Sequence, residues 1–311
     1  MRLGIDVGGT KCLALAVDDE GNVLDRERVS TPRGERLIED ALVALIETLS
    51  VRSETPISQW RTIGLGVPGL ISRDGVIVSS PNLPDVENFA VRARLESRLG
   101  RSVLVDNDAN CAARAEWRAG AARGHDDVLV VTLGTGIGGG IVSEGRVLRG
   151  WNGFAGEIGH VVVVAEGREC ACGRRGCWEQ YASGSALGRL ARDAWRESWA
   201  DSGHDAIDLR RAAESGDRAA LDVIDEFGRW VALGVASLVH SFDPRVVVIG
   251  GGVAHRAEVV RSSVERWLGH FLYASHVRRH PEVRLAEHGE DAGAIGAALL
   301  DTTSVTSDGS D

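Results

Sequence analysis

The stretch LGIDVGGTKCLALAVDDEGNVL, residues 3–24, reads as a short apolar strand, a Gly-rich turn, a second apolar strand and an EG turn. Residues 129–148, LVVTLGTGIGGGIVSEGRVL, repeat that order and close on the same Glu-Gly-x-Val-Leu pattern. One supersecondary unit met twice predicts a duplicated fold with a phosphate-binding hairpin in each half. Between the copies the pattern predicts a helix over 35–50, a strand IGLGV at 63–67, a helix over 87–99 and a strand VLVDND at 103–108. After them come helices over 184–200 and 217–241, a strand VVVIGGG at 246–252 and a helix over 256–271. A last Ala/Leu-rich helix over 291–301 has Asp291 as its expected N-cap. Short apolar strands alternating with helical patterns define an α/β architecture. No Pro- or Ser-rich linker separates the halves, so the boundary is expected in the continuous segment 112–125, and the polar residues 302–311 read as a frayed tail.

The chain has 311 residues, enough for two domains, and its 35 basic and 45 acidic residues give a net charge of −10. An acidic chain without a basic stripe argues against nucleic acid as a partner, but not against a nucleotide, which backbone N–H groups and a metal can hold. The first strand begins at about Leu3, leaving no signal peptide, and no apolar run approaches the ~20 residues that span a bilayer, so a cytoplasmic protein without a membrane partner is expected. Three of five cysteines cluster, which reads as a metal site in a reducing compartment; Cys12 and Cys111 read as small buried residues. Lys11 is the single lysine beside 34 arginines. A strong Arg-for-Lys bias that spares one position marks a place where a compact ammonium is wanted.

The first glycine turn is Asp6-Val7-Gly8-Gly9-Thr10-Lys11. Glycines let backbone N–H groups approach phosphate oxygens closely. Thr10 can donate to a phosphate, Lys11 can help neutralise it, and Asp6 can hold Mg²⁺ directly or through water. A plain tight turn is the bland alternative. The second turn, Gly134-Thr135-Gly136-Ile137-Gly138-Gly139, also fits the G-x-G-x-x-G fingerprint, but that motif needs a helix next and GGIVSEGRVL alternates like a strand. A third cluster, Gly250-Gly251-Gly252, ends an apolar strand, where α/β folds bind nucleotides. Asp106-Asn107-Asp108-Ala109-Asn110 lies where a strand gives way to a helix. One of its acids can take a hydroxyl proton while Asn107 orients other hydroxyls; helix capping is the competing explanation.

GEIGH at 156–160 is followed, after nine residues, by CACGRRGCWEQYASG from Cys170. His160, Cys170, Cys172 and Cys177 are four soft ligands at the spacing of one tetrahedral zinc. Four protein ligands leave no position for water, so the site is expected to be structural and not catalytic. Glu157 and Glu179 flank it.

These segments, DVGGTK, DNDAN, LGTGIGGG, GEIGH-x9-CxCGRRGCWEQYASG and IGGGV in this order, resemble the ROK family of bacterial sugar kinases and repressors over residues 3 to about 300, and CWEQYASG looks most like its glucokinases. The resemblance implies an actin-like (ribonuclease H-like) duplicated two-domain sugar kinase fold, with an interdomain cleft and a structural zinc site. Its C-terminal helix packs back on the first domain, which gives residues 1–115 plus 290–301 as a small N-terminal domain and 116–289 as a larger one. It implies ATP-dependent phosphorylation of a hexose at the 6-hydroxyl, as in a glucokinase, with Asp108 as the base. Sugar contacts would come from Gly69, Asn82, Asn107, Asp108, Glu157, His160 and Glu179, with His160 also on zinc. ATP would lie on Asp6, Gly8, Gly9, Thr10, Lys11, Gly134, Thr135, Gly136, Gly251 and Gly252. A homodimer or homotetramer is the implied assembly. Many glucokinases of the family carry Glu where this chain has Asp106, and LPDVENF after Asn82 points to no particular sugar. Other hexose acceptors (N-acetylmannosamine, N-acetylglucosamine, fructose), polyphosphate as donor and a non-catalytic sugar sensor stay open. A repressor would need a helix-turn-helix domain ahead of Asp6, where there is no room.

Overall fold

The structure is a computed structural model describing residues 1–195, 206–253 and 257–301. The chain begins with strands β1 (Arg2–Val7), β2 (Lys11–Val17) and β3 (Val23–Ser30), helix α1 (Glu35–Arg52) and strand β4 (Ile63–Val67). Short strands β5 (Leu70–Ile71), β6 (Ile77–Ser79) and β7 (Glu87–Phe89) follow, then α2 (Val91–Leu99), β8 (Leu104–Asn107) and α3 (Asp108–Arg118). Next come β9 (Val128–Leu133), β10 (Ile137–Ser143), β11 (Arg146–Val147), α4 (Glu179–Ala182), α5 (Gly184–Trp195), α6 (Ala206–Glu214) and α7 (Arg218–Phe242). Strand β12 (Val246–Gly250), α8 (Glu258–Phe271), β13 (Glu282–Leu285) and α9 (Ala292–Ala298) complete the described strands and α-helices.

Two compact units divide the chain. The first takes Met1–Gly124, Gly140–Gly156 and the residues from Glu290 onward; the second takes His125–Gly139 and Glu157–Gly289. One sheet has the order β3-β2-β1-β4-β8 and another β11-β10-β9-β12-β13, so a single strand order recurs. In the first sheet β1, β2 and β3 pair antiparallel, while β4 lies parallel to β1 and β8 parallel to β4. In the second, β12 is parallel to both β9 and β13.

The period-2 pattern of the opening strands is what builds the first unit. Leu3, Ile5, Val7, Cys12, Ala14 and Ala16 point into the core shared with Leu42, Ile46 and Leu49 of α1. Leu13, Leu15 and Val17 point the other way, onto Ala115 of α3 and Ile295 and Leu299. Helix α9 seats on β1 and β4 because glycines face it. A Cβ on Gly4 would lie 2.0 Å from the Ala294 carbonyl oxygen, one on Gly64 1.9 Å from that of Ala297, and one on Gly296 1.6 Å from that of Cys111. Backbone meets backbone along this seam, so no side chain could be admitted without moving the helix.

The helix expected over 87–99 starts only at Val91, because Glu87 and Phe89 pair with Ser79 and Ile77 in the three-stranded sheet β5-β6-β7. Helix α6 has no counterpart in the sequence reading, and residues 196–200 of the helix expected over 184–200, like residue 256 and the tail 302–311, lie outside the described residues. The strand expected over 246–252 stops at Gly250, since Gly251 turns to a φ of +86° against the Leu133 carbonyl. The last helix is shorter than 291–301; Asp291 is its N-cap residue, as expected, but its side chain makes no capping hydrogen bond and accepts from Arg26 Nη2 at 2.8 Å instead. Cys12 and Cys111 are fully buried, as expected.

Gly64→Ala should lower the free energy of unfolding by about 1–3 kcal/mol, the cost of overpacking a filled interior. Urea unfolding measures this; an unchanged midpoint would show that α9 is not seated so closely.

Candidate active site

Strand register gathers the acids of the first unit. Asp6 pairs with Gly66 across β1 and β4, and Gly66 pairs with Asp106 across β4 and β8. The three stand in one row, so Asp6 and Asp106 share a sheet face with a side-chain-free position between them. Helix α3 begins over that gap: a Cβ on Gly66 would meet the Asp108 Cα at 3.5 Å and the Cys111 Sγ at 3.2 Å. Asn107 is the N-cap, its Oδ1 accepting the N–H groups of Ala109 (2.8 Å) and Asn110 (3.1 Å). Its Nδ2 donates to the Gly69 carbonyl at 3.1 Å. Capping, the competing explanation of this motif, is therefore Asn107's work, and it leaves Asp108 as a carboxylate on the first turn of a helix, where the helix dipole favours a negative charge.

Burial pushes the Asp108 carboxyl above its ordinary range, against the pull of the Ala109 N–H. Asp6 is pushed up to about 7, by burial first and then by the charge of Asp108, while Lys11 opposes the rise. A buried acid raised to about 7 beside a second raised carboxyl suits either proton transfer or a cation. Gly293 of α9 makes the room, since a Cβ there would lie 2.7 Å from the Asp6 Cγ. Asp106 is different. It is 1% exposed, and its Oδ1 accepts from Arg149 Nε at 3.1 Å, from the Asn107 N–H at 2.9 Å and from Asn110 Nδ2 at 3.3 Å.

The first glycine turn is closed by the Gly8 N–H donating to the Lys11 carbonyl at 2.8 Å, and Thr31 Oγ1 donates to the Gly8 carbonyl at 2.6 Å. Gly9 and Thr10 are exposed on it, and Asn82 lies alongside, its carbonyl oxygen 3.0 Å from where a Gly9 Cβ would be. Lys11 Nζ pairs with Glu290 Oε2 at 2.7 Å, and that bond holds the Glu290 carboxyl below its usual range. Gly69 takes a φ of +101°, and a Cβ on it would stand 2.2 Å from the Ser79 carbonyl oxygen, so only glycine fits there.

In the second unit the Gly134 N–H donates to the Gly136 carbonyl at 3.0 Å. The start of α5 holds this turn: the Gly184 N–H donates to the Gly134 carbonyl at 2.7 Å and Ser185 Oγ to that of Thr135 at 2.9 Å. Gly251 packs on Leu133 at the end of β9, and Gly252 has open space beside it. The donor atoms of His160, Cys170, Cys172 and Cys177 all lie within 4.8 Å of one another. Cys172 Sγ is 3.6 Å from Cys177 Sγ, and Cys170 Sγ is 3.8 Å from His160 Nδ1. A tetrahedral zinc with Zn–S near 2.3 Å has ligand–ligand edges of about 3.8 Å, so the four residues fit that ion. Glu179 touches the cluster, its Oε1 3.0 Å from Cys170 Sγ and 3.8 Å from His160 Nδ1. Its Oε2 is 2.6 Å from where a Gly136 Cβ would stand, so this carboxylate spans from the cysteine loop to the second glycine turn. Burial, and then the bond to Glu179, pushes the Cys170 thiol up to about 12. Glu157 precedes the short turn that carries His160, and its carbonyl accepts the His160 N–H at 3.1 Å.

The structure thus groups Asp6, the first turn, Gly69, Asn82, Asn107 and Asp108 in the first unit. Gly134–Gly136, Gly251, Gly252, Glu157, Glu179 and the cysteine–histidine cluster fall in the second. Three contributions escaped the sequence reading: Arg149, Glu290 and the bracing of the second turn by Gly184 and Ser185, although the helix they begin was expected from 184. Only the last carried a signal, as the small residues ending CWEQYASG.

Two sheets of one strand order, each with a glycine turn between its central strand and the next, make this an α/β protein of duplicated design. The chain belongs to the ROK family, whose model matches residues 2–303. It is 36% identical over 313 residues to the glucokinase of Streptomyces coelicolor, covering 96% of this chain and 97% of that one. It is 33% identical over 311 residues to the N-acetyl-D-glucosamine kinase of Photobacterium profundum, covering 96% and 99%. The crystal structure of a ROK family glucokinase from Streptomyces griseus in complex with glucose and AMPPNP superposes with a TM-score of 0.84 at 36% identity, covering 97% of this chain and 99% of that chain. Among the described residues no helix is long and apolar enough to cross a membrane.

Asp6 and Asp108 sharing one field has a measurable sign. Asp108→Asn removes a neighbouring negative charge and should move the Asp6 midpoint down from about 7; Lys11→Met removes the opposing cation and should move it up. Carboxyl carbon-13 NMR titration reads both, and a midpoint unmoved in either variant would contradict the shared field.

Proposed function

We propose that this protein is an ATP-dependent hexose kinase that phosphorylates the 6-hydroxyl of glucose. The observation that carries the reading is Asp108: a carboxylate of raised pKa at the start of a helix, next to Asp6 and the first glycine turn. The family membership and the glucokinase relatives support it. Asp108 accepts the proton of the sugar hydroxyl as its oxygen bonds to the γ-phosphorus. The bond from that phosphorus to the bridging oxygen breaks, and ADP leaves with the electron pair. Asn107, Gly69, Asn82, Glu157, His160 and Glu179 are the residues the family resemblance gives as sugar contacts. N–H groups and hydroxyls of Gly8, Gly9, Thr10, Gly134, Thr135 and Gly136, with Gly251, Gly252 and the Lys11 ammonium, take the nucleotide and spread the charge of the moving phosphoryl group.

Asp6 would hold Mg²⁺, which would supply charge neutralisation to the phosphates; a cation there would offset the rise that burial and the Asp108 charge impose on Asp6. His160, Cys170, Cys172 and Cys177 would hold a structural zinc, which ties the cysteine loop to His160 and leaves Glu157 and Glu179 fixed beside it. A carboxylate with geometry for two roles, sugar contact and bracing of the glycine turn, makes Glu179 the residue most dependent on that metal.

ADP release with a panel of sugars, glucose and N-acetylglucosamine among them, and with polyphosphate in place of ATP, tests the reading. Glucose-dependent release with ATP is expected, and sugar binding without turnover would leave a sensor in its place. Asp108→Asn should keep glucose binding by calorimetry and lose on the order of 10²–10⁴-fold in kcat; a near-normal kcat would remove Asp108 as the base. Metal analysis should find one zinc per chain, lost in Cys172→Ser. Zinc capture must displace the Cys170 proton, so zinc affinity should fall as pH falls, and chelation should cost glucose affinity.

A further inference from the structure

The buried ion pair behind the Asn107–Asp108 turn is not needed to cap the helix or to fill the core. Asp106 and Arg149 have side chains 1% and 3% exposed, and among the described residues each is the other's only ion-pair partner. The other Asp106 oxygen and both Nη atoms of Arg149 lack a protein partner, so the pair is joined at the single Nε bond. Two buried charges held this way are a poor means of gaining stability; an apolar pair of the same volume would do as well. What the pair does is local. The oxygen that receives Arg149 also receives the Asn107 N–H and the Asn110 amide, on either side of Asp108.

Arg149 is itself held firmly. Its carbonyl accepts the Ala155 N–H at 3.0 Å, and the carbonyl of the next residue, Gly150, takes Arg73 Nη2 at 2.6 Å. A rigid segment therefore presents one guanidinium to the carboxylate beneath the turn. The charges around Asp108 matter too. Asp6 and Asp106 occupy the same sheet row, Lys11 faces Asp6, and Arg114 acts on Asp106. Without Arg149, three carboxylates would crowd one face.

We infer that Arg149 is a positioning residue for the phosphorylation proposed above, on which this inference rests. It fixes and neutralises Asp106, and through Asp106 it sets the main chain of Asn107 and Asp108. The turn bears both the base and a sugar contact, and no nucleotide contact. Disturbing it should change the sugar step and spare the nucleotide.

The test compares Arg149→Met, Arg149→Lys, Asp106→Asn and the double variant Asp106→Asn/Arg149→Met with the wild type. Arg149→Met should lose about 10–100-fold in kcat/KM for glucose, as for a catalytic group misplaced by a fraction of an ångström or more, with KM for ATP within about twofold. Arg149→Lys keeps the charge without the planar fork and should recover part of that loss. A second readout needs no turnover: the Asp108 carboxyl titration by carbon-13 NMR. Asp106→Asn leaves the Arg149 and Arg114 cations uncompensated, so the Asp108 midpoint should move down; the double variant should return it toward the wild-type value. Wild type without sugar-dependent ADP release would refute the kinase reading alone, and the titration would still decide the link from Arg149 to Asp108. If Arg149→Met does not fold, Arg149→Lys and Asp106→Asn carry the comparison. The inference is overturned by wild-type kinetics in a folded Arg149→Met, by an equal rise in KM for ATP, or by an Asp108 midpoint that the double variant leaves where Asp106→Asn put it.

Discussion

One row of residues, Asp6, Gly66 and Asp106, sets the rest of the first unit. Parallel pairing of β1, β4 and β8 brings the two acids to one face with a glycine between them. A Cβ at Gly66 would press on the Cys111 side chain at 3.2 Å and touch the Asp108 Cα at 3.5 Å, so α3 lies as close to the sheet as a glycine there allows. A slip of one residue in either strand pair would turn the acids to the opposite face, into the apolar layer of α1. The alternation of Leu3, Ile5 and Val7 against Gly4 and Asp6 forbids that slip, because one set is wanted by α1 and the other by α9. Core packing and acid placement are thus one constraint, written in the same strand.

The second unit solves its problem with a side chain instead of a register. Glu179 follows the cysteine loop directly, and its two oxygens reach different neighbours, Cys170 on one side and the backbone at Gly136 on the other. The loop around Cys170–Cys177 is largely exposed; two isolated β-bridges, Val162 with Cys177 and Glu169 with Arg175, and turn bonds such as the Cys170 N–H to the Arg174 carbonyl at 2.8 Å hold it. Trp178 is its apolar anchor, fully buried with its indole N–H on the Trp230 carbonyl of α7 at 2.8 Å. A metal on the four donors would add to these bonds, which is how small closed metal sites contribute folding energy.

Legibility followed pattern length. β1, β2, β9 and β12 are rich in apolar residues and bounded by turn signals, and α1 and α7 have long amphipathic periods, so each is plain in the sequence. β5, β6 and β7 are two or three residues long, too short for any period, and the pattern absorbs Glu87-Asn88-Phe89 into a helix it does not join. Asp291 has the right residue type for a cap, yet an arginine twenty-six residues into the chain claims its carboxylate. The cysteine–histidine set is readable because its spacing is local; the structure brings the four donors together as expected. Arg149 is invisible because nothing near it in sequence announces Asp106, and a buried ion pair between distant positions leaves no spacing to read. The roles of individual residues in binding come from resemblance, and geometry alone adds what supports each of them.

The seating of α9 has a consequence for synthesis. Its glycine-lined seam closes the sheet that the first residues begin, and Leu13, Leu15 and Val17 need Ile295 and Leu299 to cover them. A ribosome making this chain delivers those partners only after nearly every other residue. The second unit, complete by Gly289, is in hand first. β1 and β2 therefore emerge about 280 residues before the helix that encloses them, and in that interval an apolar sheet face has to be kept from other chains by something other than its own fold.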